Sequence, residues 1–276
     1  MNQFIIYNGK LTANISLFLN NNRAFRYGDA LFETIRICEG KAVFIEDHLK
    51  RLLKGMHILK MNCPTFFSLE WLKKEVENII KANNISGGGR LRLTVFRKGA
   101  GLYLPETNDI DYLIEATPIA ETNFIFNASG LAVDFYNENK KSLNVLSSVK
   151  TTNCLVSVMA SIYKKEHSLD DCILLNEKGF IAEAISSNLF IVKNNIVSTP
   201  ALDQGCVEGT MRNRIIQILE SKKIQVIQTT IHPDDIFSAD ELFLTNAIVG
   251  FRWVEKLQSK RFCQNFSSEL TKSLFF

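Results

Sequence analysis

"NVLSSVKTTNCLVSVMASIYKK", residues 144 to 165, is the stretch on which the reading of this chain turns. Lys150 stands at the seam between a polar segment and a long apolar one. After it come Thr151, Thr152 and Asn153, short polar residues that suit a loop or a helix start. Cys154, Leu155, Val158, Ala160, Ser161 and Ile162 then run at helical spacing with few charges, which predicts a largely buried helix. An ammonium held where a buried helix begins is poorly solvated, and desolvation favours the neutral, nucleophilic amine. Such a lysine can form a Schiff base. A surface lysine with a snorkelling stem is the commoner case, so the remainder of the chain has to decide.

The totals narrow the field. With 276 residues the chain can bury a full core in one large domain or two modest ones. A net charge of +3, and no basic run longer than pairs such as Lys73-Lys74, argue against nucleic-acid and membrane partners. The opening "MNQFIIYNGK" is not a secretory signal, and no stretch approaches the roughly 20 apolar residues of a membrane span. The six cysteines and four histidines are scattered without metal-ligand spacing. The chain reads as cytoplasmic, reduced and free of structural metal.

Along the chain, "FIIYNGKL" reads as a strand and turn, and "GDALFETIRICEGKAVF" as a hairpin turning at Glu39-Gly40-Lys41. "EDHLKRLLKGMHIL" and "SLEWLKKEVENIIKANN" carry apolar residues at helical spacing, the second with Ser68 as N-cap. "RLRLTVFR" alternates as a strand, with Leu91, Leu93 and Val95 on one face. The pattern loosens between Glu115 and Ser129, the expected linker. Beyond it lie a strand, the Lys150 region, a hairpin turning at Glu177-Lys178-Gly179, a helix from about Gly209 to Lys222, and "ELFLTNAIVGFRWV". Long strands with few intervening helices predict an α+β fold.

Four further features surround Lys150. "EAISSNLFIV" places Glu183 at a strand end, followed by Ser186, Ser187 and Asn188, where a catalytic group is both rigid and reachable. "QGCVEGTMRNRIIQIL" ends a turn at Gly209 and opens a helix at Thr210 and Met211, a geometry that suits a phosphate. "DHLKRL" puts His48 and Arg51 on one helical face, and a guanidinium forks onto phosphate well. Arg97 ends the apolar row of its strand. There it either meets a substrate carboxylate or pairs with a nearby Asp or Glu.

In this order and spacing the chain resembles the fold-type IV pyridoxal phosphate enzymes. These include branched-chain amino acid aminotransferases, D-amino acid aminotransferases and 4-amino-4-deoxychorismate lyases. The resemblance runs through "NRAFRYGDALFETIR", "EDHLKRL", "SSVKTTN", "LLNEKGFIAEAISSNLFIV", "TPALDQGCVEGTMR" and "ELFLTNAIVG". It implies the two-domain D-amino acid aminotransferase-like fold: a small N-terminal domain over 1–115, a linker over 116–129, and a large cofactor-binding domain over 130–276. It implies pyridoxal 5'-phosphate as cofactor, Lys150 as the Schiff-base lysine and proton shuttle, and Glu183 as partner of the pyridine nitrogen. Arg51, Gly209, Thr210, Met211, Asn246 and Ala247 would hold the phosphate, with Asn188 also in the cofactor site. A homodimer and a small-molecule amino substrate are implied as well.

The chain departs from the family pattern in places. Cys154 stands where many members have a tyrosine, and Met211 and Ala247 stand where transaminases often have threonines. "FETIR" with Thr34, in place of "FEGIR", and the "TNA" at 245–247 look more like the aminodeoxychorismate lyases. That activity is therefore expected, with Thr34 and Arg97 as substrate contacts. The alternatives are a branched-chain or D-amino acid aminotransferase and a non-catalytic vitamin B6-binding homologue. The last is disfavoured because Lys150 and Glu183 are both present.

Overall fold

The computed structural model describes residues 3–13 and 22–275, with side chains up to residue 270. The chain divides into two compact units, Met1–Asn123 with Val149–Asn153, and Phe124–Ser148 with Cys154–Phe276. The first boundary falls inside the 116–129 stretch expected as linker. The segment carrying Lys150, expected within 130–276, instead belongs to the first unit, because its backbone hydrogen bonds go there.

The first unit contains β1 (Ile5–Tyr7), β2 (Lys10–Thr12), α1 (Arg23–Tyr27), β3 (Ala30–Cys38), β4 (Lys41–Ala42), α2 (Ile45–Ile58), α3 (Leu69–Ala82), β5 (Gly89–Arg97) and β6 (Ile110–Pro118). Its sheet runs β2-β1-β6-β5-β3-β4 with every neighbouring pair antiparallel. Ser68 caps α3 by accepting the Trp71 N–H at 3.2 Å. Leu49, Leu52 and Met56 of α2, with Leu72, Val76 and Ile79 of α3, bury themselves in one core with Leu31, Ile35, Ile37, Leu91, Leu93 and Val95 of the sheet. Each such side chain contributes about 1.5–3 kcal/mol on burial.

One member of the inward row of β3 is not apolar. Glu33 lies between Leu31 and Ile35 and is 2% exposed. A carboxylate there is tolerable only if paired. Arg51 forks onto it from α2, Nε to Oε1 at 2.8 Å and Nη2 to Oε2 at 2.5 Å, and His48 Nδ1 lies 2.6 Å from Oε2. Burial alone would raise the Glu33 pKa, but the Arg51 charge and the hydrogen bonds from Arg51 and His48 outweigh it and hold the pKa at about 2.

The second unit contains β7 (Leu131–Lys141), α4 (Leu155–Glu166), β8 (Asp171–Asn176), β9 (Ile181–Ala184), β10 (Asn188–Lys193), β11 (Ile196–Pro200), α5 (Thr210–Ser221), β12 (Val226–Thr229), α6 (Pro233–Phe237), β13 (Glu241–Asn246), β14 (Gly250–Leu257), β15 (Lys260–Arg261) and α7 (Asn265–Phe275). Its strands run β12-β11-β10-β13-β14-β7-β8-β9, with β15 against β14. The pairs β11–β12, β14–β7 and β7–β8 are parallel and the others antiparallel, so the sheet is mixed. Leu131, Val133, Ile173, Ile181, Leu189, Leu242, Leu244 and Val254 form its main core.

Helix α4 corrects an expectation. The sequence pattern predicts a largely buried helix, yet Ala160 is its one buried residue, while Leu155, Val158, Met159 and Ile162 are 77%, 49%, 42% and 47% exposed. Ala160, Val156 and Tyr163 pack with Tyr136, Cys172 and Leu174 of β7 and β8. That single stripe is all the sheet takes up, so the other apolar face turns outward. Among the described residues no helix is long and apolar enough to cross a membrane.

The Glu33 cluster makes stability depend on pH. Its folded pKa of about 2 lies below the ordinary 4.5. The stabilisation is therefore complete above pH about 4.5 and drains away as pH falls towards 2. Urea unfolding between pH 6 and 2.5 should show that decline in the wild type. In Glu33→Gln the chain should be less stable at pH 6 and its acid slope shallower; an unchanged slope would refute the assignment.

Candidate active site

Lys150 does not sit at the opening of α4. It lies on an extended segment laid along the start of β3. The Phe32 N–H donates to Lys150 O at 3.1 Å, the Thr152 N–H donates to Ala30 O at 3.0 Å, and Leu31 faces Thr151 in an antiparallel bridge. Thr152 Oγ1 and Asn153 Nδ2 both donate to Gly28 O, at 3.0 and 3.1 Å. Gly28 has φ +63°, and a Cβ there would strike the Asn153 side chain, so glycine is required. The threonines and asparagine are the fastening of the lysine segment.

Side chains alternate across a strand. Leu31, Glu33 and Ile35 face the helices, so Phe32 and Thr34 occupy the opposite face of β3. Lys150 Nζ lies 4.3 Å from the Phe32 ring centroid, and the Arg92 guanidinium carbon 3.9 Å from the same centroid. Arg92 is register partner of Thr34 on β5, and its Nε donates to Thr94 Oγ1 at 3.2 Å. The ring faces attract both cations by about 0.5–2 kcal/mol each. One sheet face thus bears an amine, a guanidinium and a hydroxyl: a proton carrier, a carboxylate fork and a hydrogen-bond donor.

A second cluster is built on the other unit. Glu183, near the end of β9, is 7% exposed. Its Oε2 accepts the Val207 N–H at 2.9 Å, and its Oε1 is ion-paired with Lys141 Nζ. Asn188 donates Nδ2 to Val207 O at 2.8 Å and pairs in register with Thr245. Its Oδ1 crowds Gly209 so closely that no Cβ fits there. Gly209 is the N-cap of α5, no side chain caps that helix, and Thr210 and Met211 are buried in its first turn. Thr245 Oγ1 is buried with no hydrogen-bond partner. Asn246 accepts the N–H groups of Ile248 and Val249 on Oδ1, both at 2.9 Å, and donates to Ser187 Oγ at 3.1 Å. It therefore shapes the turn that carries Ala247. A fixed carboxylate, a helix start without a side-chain cap and an orphaned hydroxyl suit a ligand bearing both a protonatable nitrogen and a phosphate.

The family profile described as amino-transferase class IV matches residues 30–257. The chain belongs to that family. A Methanocaldococcus jannaschii protein assigned as a branched-chain-amino-acid aminotransferase is 27% identical over 277 residues, covering 98% of this chain and 93% of its own. The T.th. branched-chain amino acid aminotransferase with pyridoxamine 5'-phosphate superposes with a TM-score of 0.86 at 21% identity, over 99% and 93% of the two chains. The 4-amino-4-deoxychorismate lyase of Pseudomonas aeruginosa gives 0.84 at 23%, over 98% and 97%. The fold is that of the class IV enzymes.

Two arginines need restating. Arg97 does point inward, but it is not poised for a substrate: Nε donates to Asp29 at 3.0 Å, Nη1 to Asn108 Oδ1 at 2.5 Å and to Lys60 O at 3.4 Å, and Nη2 to Leu59 O at 2.6 Å. The pairing alternative describes it. Arg92 lies on the face that bears Phe32 and Thr34, and the sequence did not single it out, although Arg90, Arg92 and Thr94 form the polar half of an alternating strand. Arg51 is oriented by Glu33, whose place in an apolar row of β3 was itself a signal for a buried counter-charge. Lys141, at the end of "NENKK", carried no signal.

Arg97→Lys tests the restatement. Lysine keeps the charge but cannot reach Asp29, Asn108 and two carbonyls together. The variant should lose about 1–3 kcal/mol of stability with KM unaltered. A raised KM at unchanged thermal midpoint would return Arg97 to the substrate.

Proposed function

We propose that this chain is a pyridoxal phosphate-dependent 4-amino-4-deoxychorismate lyase, giving 4-aminobenzoate and pyruvate. The observation that carries the reading is Thr34 opposite Arg92 on the face that holds Lys150. When bound, the cofactor supplies an electron sink for the carbon that bears the substrate amine. Lys150 Nζ takes the proton from that carbon. Arg92 holds the carboxylate of the neighbouring enolpyruvyl group, and Thr34 Oγ1 donates to the ether oxygen as the C–O bond breaks. The bonding pair leaves with that oxygen, the ring becomes aromatic, and the released enol gains a proton at carbon to give pyruvate. A leaving group with its own carboxylate needs both a fork and a donor; amino transfer needs no such donor.

The second cluster fits the cofactor. Glu183 would pair with the ring nitrogen, while Gly209, Thr210, Met211, Thr245, Asn246 and Ala247 would take the phosphate. Asn188 supports them through Val207. An aminotransferase of branched-chain or D-amino acids would use the same Lys150, and the Methanocaldococcus jannaschii relative supports it, but it consumes a 2-oxo acid. A homodimer is part of the proposal, supported by the exposed apolar row on α4.

Three measurements test this. Incubated with 4-amino-4-deoxychorismate and no 2-oxo acid, the protein should release 4-aminobenzoate and pyruvate in equal amounts; transfer from a branched-chain amino acid without that release would favour the aminotransferase. Thr34→Val should lower kcat by about 10–100-fold, and Arg92→Lys should raise KM about tenfold. Light scattering should give twice the chain mass, and a fully active monomer would remove the dimer.

A further inference from the structure

The carboxylate of Glu183 has a counter-charge of its own. Lys141 ends β7, and its ammonium is ion-paired with Glu183 Oε1, the two side chains being 16% and 9% exposed. Its placement is built, because β7 and β8 lose register there. While β7 advances from Tyr136 to Lys141, β8 advances only from Leu174 to Asn176. The strands rejoin at Lys141, whose carbonyl accepts the Glu177 N–H at 3.1 Å. Such irregularities re-aim a side chain beside a site.

We propose that Lys141 is a positioning residue that holds the Glu183 carboxylate in place and aims it for the cofactor's ring nitrogen. The inference rests on the reading of Glu183 as partner of that nitrogen. A carboxylate this buried needs a cation beside it, and Lys141 supplies one. With Lys141 on Oε1 and the Val207 N–H on Oε2 the carboxylate is held in one orientation. A carboxylate has about four acceptor positions, so room remains for the ring N–H. The neighbouring Cys206 thiol does not compete for Lys141: burial first, and then the Glu183 charge, push its pKa up to about 12, which keeps it neutral. Glu183 also fixes the phosphate end of the cluster, because Val207, whose N–H it binds, gives its carbonyl to Asn188.

The test compares two ligands on each protein: pyridoxal 5'-phosphate and its 1-deaza analogue, in which carbon replaces the ring nitrogen. Apoprotein titrations give the ratio of the two dissociation constants, so a general loss of stability cancels. Lys141→Gln and Lys141→Met should each reduce the preference for the natural cofactor about tenfold, and Lys141→Arg should retain it. Unchanged preference in the neutral variants, or an equal loss of both ligands, overturns the role of Lys141. Glu183→Gln separates the two claims. If that variant loses the preference while the Lys141 variants keep it, only the present inference fails. If Glu183→Gln keeps the preference, the assignment of Glu183 to the ring nitrogen is wrong.

Discussion

The attachment of Val149–Asn153 to the start of β3 is the constraint on which the chemistry depends. Two backbone hydrogen bonds and the two side-chain bonds to Gly28 hold the segment. Isolated from helix α4, Lys150 owes its position to a sheet edge, the more rigid support. A lysine on a flexible stem carries about 2 kcal/mol of rotamer entropy, and the Phe32 ring beneath it restricts that freedom. Changing Gly28 would therefore reach the lysine through Asn153 without touching it.

Several buried charges in this protein are neutralised by near neighbours. Glu33 has Arg51 and His48, Arg97 has Asp29, and Glu183 has Lys141. Desolvation of a lone charge costs several kcal/mol, so each pair exists because its members cannot be buried singly. The consequences differ by location. The Arg97 pair closes a loop onto β5 and ends there. The Glu33 and Glu183 pairs each fix a charged group in place, and a charged group held in place is what a ligand site requires.

The open face of β3 and β5 explains how one scaffold serves related reactions. In the proposed reaction Lys150 carries the proton, while Thr34 and Arg92 lie opposite each other on adjacent strands and can vary without disturbing the core on the other face. Alternation across the strand separates the two tasks. Leu91, Leu93 and Val95 pack against the helices, and the residues between them lie on the opposite face of the strand.

The sequence by itself determined a good deal. Element types and most boundaries followed from local patterns: the alternation of "RLRLTVFR", the helical spacing of α2 and α3, the Ser68 cap, and the turns at Gly40 and Gly179. The family was legible because several motifs, among them "SSVKTTN", "EAISSNLFIV" and "QGCVEGTMR", resemble those of known members in the same order. Tertiary structure decided what those patterns could not hold. Whether Arg92 or Arg97 faces outward depends on which acceptors lie near each guanidinium, and Asp29 is distant from Arg97 in sequence. The exposure of α4 depends on how much of it the β7–β8 face can cover. Lys141 meets Glu183 only because β7 and β8 lose register, and no local pattern encodes a contact made between separate strands.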